Sequence, residues 1–301
     1  MCLLYGGFPL IDNFMISGAN GSITAYFDFI VRSIPYFAIV IVVLMLILSF
    51  VAWKTHQLTV GGSFGAFILG TSVILAFGFG GLFLYVFFLV LAAVLSKIEK
   101  SNRAALEAHQ KQGKGNCRDI MQVFANGGLG FFIAILYLYQ PSPILLLLFG
   151  ASVAESVSDT VAGEVGMLLN GPVFSILNGL PVEKGLSGGV SRGGTLAGLI
   201  ASFLIGLLWY PSFFVAGPHT LIYLLVVTFA GFGGCLADSI FGATIQVHYY
   251  DENEKLTEKS EKNGKKLEWA RGIPFFDNDM VNLLSNAVAV FIAYILSAIF
   301  F

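Results

Sequence analysis

The stretch that decides the fold is residues 143–166, PILLLLFGASVAESVSDTVAGEVG. Its first half is almost unbroken apolar sequence. Its second half carries Glu155, Asp159 and Glu164, three acids within ten residues. An acid at the centre of a membrane helix costs about 2.5–3.5 kcal/mol on insertion scales. Chains keep such groups mostly where they do a job. Glu155 and Asp159 are i, i+4 and share one helix face. Two carboxylates that close repel unless a cation or donor lies between them. Glu164 follows Gly163, where a helix break is expected. The plainer reading, a set of snorkelling interface acids, sits poorly with so charge-poor a chain.

The rest of the chain has the same character. Of its 301 residues, 56% are hydrophobic and only 11% charged, against about 25% charged in water-soluble domains. Mean hydropathy is +0.83. The apolar segments are too many and too long for a soluble domain. They read as about eight spans, near 34–53, 61–77, 80–95, 123–139, 143–160, 194–209, 219–240 and 280–300. The stretch 61–95 is too long for one span, and Gly78, Gly80 and Gly81 supply a tight re-entry between two short helices. Residues 22–34 read as a surface helix or an extension of the first span. The fold class is therefore all-α, a polytopic integral membrane protein with residues 1–301 as one transmembrane domain.

Charge sets the topology. Six of the 16 Lys and Arg lie in 97–118 and six in 255–271. Such clusters face the cytoplasm. Four spans separate them, which returns the chain to the same side. The expected cytoplasmic loops are 96–122, 161–193 and 241–279. The charged run 251–268 reads as a solvated, mobile excursion. Cys2, Cys117 and Cys235 are scattered, with no ligand spacing. The first residues lack a basic n-region, which predicts no cleaved signal peptide.

A second acid segment, Asp238-Ser239-Ile240-Phe241-Gly242, repeats the pattern Asp159-Thr160-Val161-Ala162-Gly163. Topology puts both at one cytoplasmic boundary. Oxygen ligands from two helices suit a hard divalent ion such as Mg²⁺, which uses one or two carboxylates plus substrate phosphates. Between the copies lie five glycines and three hydroxyls in Gly185–Thr195, followed at once by a hydrophobic helix. Backbone N–H groups at a helix N-terminus make an anion site, and Lys184 and Arg192 add positive charge. This is no Walker A loop, and a flexible linker is the plainer reading. Arg118, Gln122 and Asn126 form one polar stripe, and Asn278, Asn282 and Asn286 another. They suit metal-bound water, ribose or phosphate, or else interhelical hydrogen bonds. Lys97 and Arg103 either bind phosphate or set topology. The four histidines show no metal-ligand spacing. The 29 phenylalanines are core or lipid-facing by default; some could line a groove for a lipid tail, but the sequence does not pick them.

At these motifs the chain resembles the transmembrane-protein-nineteen family of multi-pass proteins, which includes a plastid phytyl-phosphate kinase. The resemblance spans roughly 55–300 and rests on 122–128, 158–166, 188–195, 238–243 and the asparagine-bearing start of the last helix. More distantly, Asp159-x-x-Ala162-x-x-x-Gly166 and Ser191-x-x-Gly194-Thr195 look like motifs of CTP-dependent dolichol and phytol kinases and CDP-diacylglycerol synthases. The chain departs from these in an extra residue before Gly166 and in Val190 where a lysine is common.

The resemblance implies an Mg²⁺-dependent isoprenyl-phosphate kinase, with CTP as donor and a monophosphate such as phytyl or geranylgeranyl phosphate as acceptor. Asp159, Asp238 and Arg192 take the catalytic roles. Asp159, Asp238, Glu155 and Glu164 are the candidate metal ligands. Lys184, Ser187, Gly188, Gly189, Ser191, Gly193, Gly194, Thr195, Asn126, Arg118 and Asn282 are the candidate nucleotide contacts. The lipid bilayer is a partner, nucleic acid is not expected, and a homo-oligomer is left open. A lipid-phosphate cytidylyltransferase and a secondary transporter stand as alternatives.

Overall fold

A computed structural model describes residues 37–100, 117–213, 220–262 and 264–300. Within these residues lie the helices α1 (Phe37–Lys54), α2 (Val60–Lys100), α3 (Ile120–Tyr139), α4 (Pro143–Leu168), α5 (Arg192–Phe213), α6 (Thr220–Thr244) and α7 (Asn278–Phe300). Six are long and apolar enough to cross a membrane, and α1 is a shorter apolar helix. The helix or extension expected at 22–34 lies outside the described residues, as does Arg103.

The long α2 is two rods. Gly78 sits at φ 64°, ψ −159°, a conformation open to glycine because it has no Cβ. The two halves fold back on one another. Leu69 and Tyr85 both reach Gly127: the Leu69 side chain fills the space a Gly127 Cβ would need, and Tyr85 Oη donates to the Gly127 carbonyl at 3.0 Å. Sixteen residues of straight helix would hold them roughly 24 Å apart. With α2 as two rods, the architecture agrees with about eight spans.

The two ends of the bundle differ in chemistry. At one end Phe77, beside the α2 break, packs on Tyr137 and Phe149 with ring centroids 5.0 and 4.3 Å away. Trp209 is fully buried and donates Nε1–H to the Leu146 carbonyl at 2.8 Å, so its one polar atom is satisfied. The other end gathers the start of α3, the end of α4, the start of α5, the end of α6 and the start of α7. Small residues let these helices meet closely. A Cβ on Gly231 would stand 2.5 Å from the Ala154 Cβ, and one on Gly234 would stand 2.6 Å from the Glu155 Cγ.

Two expectations about the connections are corrected. First, α4 does not break at Gly163 but runs through Gly166 to Leu168. Gly163 is exposed, and a helical glycine costs only about 1 kcal/mol relative to alanine, so one more turn is tolerated. Second, the charged run 251–268 is not a loose excursion. β3 (His248–Tyr250) pairs with β4 (Leu256–Thr257) and β7 (Glu268–Arg271), and β5 (Glu261–Lys262) pairs with β6 (Lys265–Lys266). The ladders satisfy the backbone locally, so a cap forms without a large apolar core. Gln246 and His248 are buried at its base. A shorter pair, β1 (Phe174–Ser175) with β2 (Gly189–Val190), ties the glycine-rich loop to the connection after α4.

Candidate active site

The polar end holds a chamber of about 230 Å³. Asp159, Glu164, Asp238, Arg118, Asn126 and Asn282 line it together with the loop 184–191. Residues spread over most of the chain thus meet in one place.

Arg118 enters from the α2–α3 connection. Its backbone is fixed on both sides, by Arg118 N–H to the Gln57 carbonyl at 3.0 Å and Thr59 N–H to the Arg118 carbonyl at 2.9 Å. Asp119 then caps α3, accepting from Gln122 N–H at 3.0 Å, while the Gln122 side chain accepts from Asp119 N–H at 3.1 Å. This capping box sets where the stripe Arg118–Gln122–Asn126 points. The Arg118 guanidinium lies 5.5 Å from the centroid of the Phe88 ring. Burial pulls its pKa down, and the charges of Glu164 and Asp159 oppose that pull. An arginine side chain is effectively always protonated in proteins, so it faces two acids as a fixed cation.

Asp159 and Asp238 come from the neighbouring helices α4 and α6, and both line the chamber. Beneath them lies Glu155, 2% exposed. It accepts from Ser285 Oγ at 2.8 Å, Asn286 Nδ2 at 2.7 Å and Ser156 Oγ at 3.2 Å. Ser285 Oγ also stands 3.2 Å from Asp238 Oδ2. A hydroxyl has one proton to give, so Ser285 serves one carboxylate at a time and couples the two. With its amide nitrogen turned towards the acid, Asn282 donates to Asp238 Oδ2 at 3.1 Å. Asn286, one turn deeper, also donates to the Ser152 carbonyl at 2.9 Å.

The glycine-rich loop is pinned from two sides. Gly188 has φ +85°, and a Cβ there would stand 2.5 Å from the Ala243 Cβ at the end of α6. A Cβ on Gly242 would stand 2.8 Å from the Ser187 Cβ. From the cap, Glu258 accepts Ser187 N–H at 3.1 Å and the Ser187 hydroxyl. Lys255 of the cap pairs with Glu183 at 2.8 Å. Ser191 Oγ accepts from Gly194 N–H at 3.1 Å and begins α5 as its N-cap.

Several expected site residues stand elsewhere. Glu155 does not line the chamber; its oxygens are consumed by Ser285, Asn286 and Ser156, which makes it a support beneath the site rather than an exposed ligand. Arg192 is exposed and outside the lining, and Gly193, half-buried beside Leu169, is outside it too; these two positions of the first turn of α5 lie on the side away from the chamber, whereas Gly194 and Thr195 of the same turn line it. Lys184 does line the chamber, yet its Nζ donates to the Leu169 carbonyl at 2.6 Å, where a cation complements a helix C-terminus. Asp159, Asp238, Glu164, Arg118, Asn126, Asn282, Ser187, Gly188, Gly189, Ser191, Gly194 and Thr195 do line it.

Sequence reasoning passed over Ser285, Asp279, Gln57 and the whole contribution of the cap. Asp279 had a signal, since it sits beside Asn278 in the first turn of α7. Glu258 had none, because a single acid in a mixed-charge run carries no pattern.

Among the described residues no group of three or more His, Cys, Asp and Glu side chains could hold a metal ion by itself. The residues present do fit Mg²⁺ held jointly with phosphate: two carboxylates face one chamber, and Glu164 Oε2 is buried there without a hydrogen-bond partner among the described residues.

Residues 43–290 match the family described as integral membrane protein DUF92. An uncharacterized membrane protein of Methanocaldococcus jannaschii is 31% identical over 205 residues, 68% of this chain and 82% of its own length. Protein PGR of Arabidopsis thaliana is 28% identical over 295 residues, 89% of this chain and 99% of its own. The chloroplastic protein VTE6 of Arabidopsis thaliana is 27% identical over 244 residues, 79% of this chain and 65% of its own. No solved structure matches the chain. The chain belongs to the DUF92 family of multi-pass integral membrane proteins, which agrees with the resemblance drawn from its motifs.

Proposed function

We propose that this DUF92 member is a membrane-embedded isoprenyl-phosphate kinase, which transfers a phosphoryl group from a nucleoside triphosphate, CTP in the first instance, to an isoprenyl monophosphate. The observation that carries the reading is the convergence of Asp159, Asp238, Arg118 and the glycine-rich loop on one chamber at one end of an apolar bundle. Support comes also from the motif resemblance to a family that includes a plastid phytyl-phosphate kinase, and from the likeness to VTE6. The positive-inside pattern of the two basic segments supports a chamber on the cytoplasmic side.

Phosphoryl transfer needs little covalent chemistry from the protein; it needs positioning and charge compensation. An oxygen of the acceptor monophosphate attacks the γ-phosphorus. The bond from that phosphorus to the β,γ-bridging oxygen breaks, and the nucleoside diphosphate leaves with the bond's electrons. The acceptor is already an anion, so no strong general base is required, in keeping with a lining that holds no histidine among the described residues. Arg118 is the cation placed to hold the acceptor phosphate. The backbone and hydroxyls of Ser191 and Thr195, with Gly194, would meet the nucleotide phosphates, while Glu258 holds Ser187 and so fixes the shape of the loop. Asp159 and Asp238, with Glu164, would hold Mg²⁺, which when bound supplies neutralisation of the charge spread over the phosphate oxygens. Ser285 and Asn282 orient Asp238.

The test is purified protein with Mg²⁺, CTP and geranylgeranyl or phytyl monophosphate. The expected products are the isoprenyl diphosphate and CDP. Release of pyrophosphate instead would identify a cytidylyltransferase. Absence of any diphosphate product with every common nucleotide would sink the kinase reading.

A further inference from the structure

A second chamber, of about 240 Å³, lies between α1, both halves of α2 and α3. Its walls are apolar, built from Met45, Leu48, Leu69, Leu82, Phe88 and Leu89. It is not isolated. Arg118, Gln122, Asn126 and Gln57 line this chamber and the polar one alike, so the stripe at the start of α3 is the partition between them. It also reaches the lipid-facing surface. Val51 on α1 and Val90 on the second half of α2 both line it and are 49% and 57% exposed. One cavity thus has exposed residues at one side, apolar walls in the middle, and at its inner end a half-buried guanidinium that faces carboxylates.

A molecule that fits all three regions has one hydrocarbon chain and an anionic head. Apolar walls favour hydrocarbon over water by roughly 25 cal/mol per Å² buried. A half-buried arginine that lines the cavity favours a phosphate that it can grip with two N–H groups. A chamber of this size, walled by helices on both sides, takes a single chain. A neutral hydrocarbon would leave Arg118 unused, and a soluble phosphate would leave the walls unfilled.

We infer that this chamber is the tail site of a single-chain lipid monophosphate, which enters sideways from the bilayer between Val51 and Val90 and presents its head to Arg118. The inference rests on the kinase reading only for the fate of that head. Ala52, Ala66 and Ala93 line the slot and are small, so they set how much chain it accepts. Tyr85, which bonds Gly127 across the slot, positions its inner wall.

The experiment uses the full-length protein in lipid nanodiscs and a geranylgeranyl monophosphate that bears a diazirine near the tail end. After illumination, labelled peptides are mapped by mass spectrometry. Labels within 45–93 are expected, and labels that fall only on α5 or α7 would overturn the tail site. In parallel, Ala52→Phe and Ala93→Phe fill the slot. Each is expected to weaken geranylgeranyl-phosphate binding about tenfold, or about 1.4 kcal/mol, while dimethylallyl phosphate and nucleotide bind as before. The lipid-facing control Ile200→Phe, half exposed on α5, should change none of these. Equal weakening of the short and long acceptors in both variants would also overturn the inference. Labelling needs no turnover: labels at 45–93 with no diphosphate product would sink the kinase and keep the tail site, whereas turnover with labels elsewhere would do the reverse.

Discussion

Asp159-Thr160-Val161-Ala162-Gly163 and Asp238-Ser239-Ile240-Phe241-Gly242 share one pattern but not one environment. The first stands on a helix that continues for another turn and more, with Glu155 below, Glu164 beyond and Arg118 across the chamber. Its glycine faces open space; a Cβ on Gly163 would meet nothing within 4 Å. The second ends its helix. Its glycine lies under the glycine-rich loop, where a Cβ would run into Ser187 and the Gly188 nitrogen at 2.8 and 2.9 Å. Its acid is held by Ser285 and Asn282. A like pattern therefore marks two jobs. Both copies supply a carboxylate, but it is the glycine of the second that seats the glycine-rich loop at Ser187 and Gly188.

The largest effect that can break this comparison is on the acids themselves. If both carboxylates serve the chamber, Asp159→Asn and Asp238→Asn each lower kcat about a thousandfold, or about 4 kcal/mol of transition-state stabilisation, with the fold retained by size-exclusion chromatography. If only one does so, the copies are not functionally paired. Glu155→Gln, below the chamber, should cost far less activity than either.

The glycines should respond with opposite signs. Gly242→Ala is expected to destabilise the detergent-solubilised protein by about 2 kcal/mol, because the loop must shift to admit a methyl group. Gly163→Ala is expected to stabilise by about 0.5–1 kcal/mol, since alanine is the better residue in a helix with free space. Thermal unfolding of both variants checks the signs, and equal shifts would erase the distinction between the copies.

Docking at Gly242 is completed from the cap. Removal of the Glu258 carboxylate in Glu258→Ala frees the Ser187 N–H and hydroxyl, and should raise the nucleotide KM about tenfold with a smaller change in kcat. A change in kcat alone would give Glu258 a role in chemistry rather than in positioning.

The smallest effect is acid weakening of the cap. Burial holds the His248 pKa below its ordinary value, and Arg271 adds to this, against the Gln246 carbonyl and Glu258. The folded cap then binds fewer protons than the unfolded segment below about pH 6.5. Its stability is complete above that pH and falls as the medium becomes more acidic. Protection factors across 245–272, which correct for the slower intrinsic exchange at lower pH, should fall from pH 7.5 to 5.5, and His248→Gln should flatten that dependence.

Much of this was legible from residue types. The spans followed from apolar length, and the break at Gly78 from a run too long for one crossing beside glycines. The chamber's acids were visible because charge is rare in this chain, so each carboxylate in an apolar helix stands out. The polar stripes at 118–126 and 278–286 were visible because their spacing matches the helical period. The cap was misread because short strands in a mixed-charge run carry no apolar alternation; their stability comes from backbone pairing and from anchors such as Lys255–Glu183 and Glu258–Ser187. Arg192 was misplaced because a charge near a loop says nothing about which way the first helical turn points.

The sequence by itself determined an integral membrane bundle, the glycine break in α2 and the set of acids and asparagines that could serve a site. These depend on local composition and on the period of one helix. Only the tertiary structure decided that Glu155 is buried behind Ser285 and Asn286 and that Arg192 is exposed outside the chamber. It also decided that Glu258 reaches the loop from 71 residues away and that an apolar chamber adjoins the polar one at Arg118. Those outcomes depend on which helix faces meet, and helix contact in a bilayer is set by close packing between small residues far apart in the chain, which no single stretch of sequence encodes.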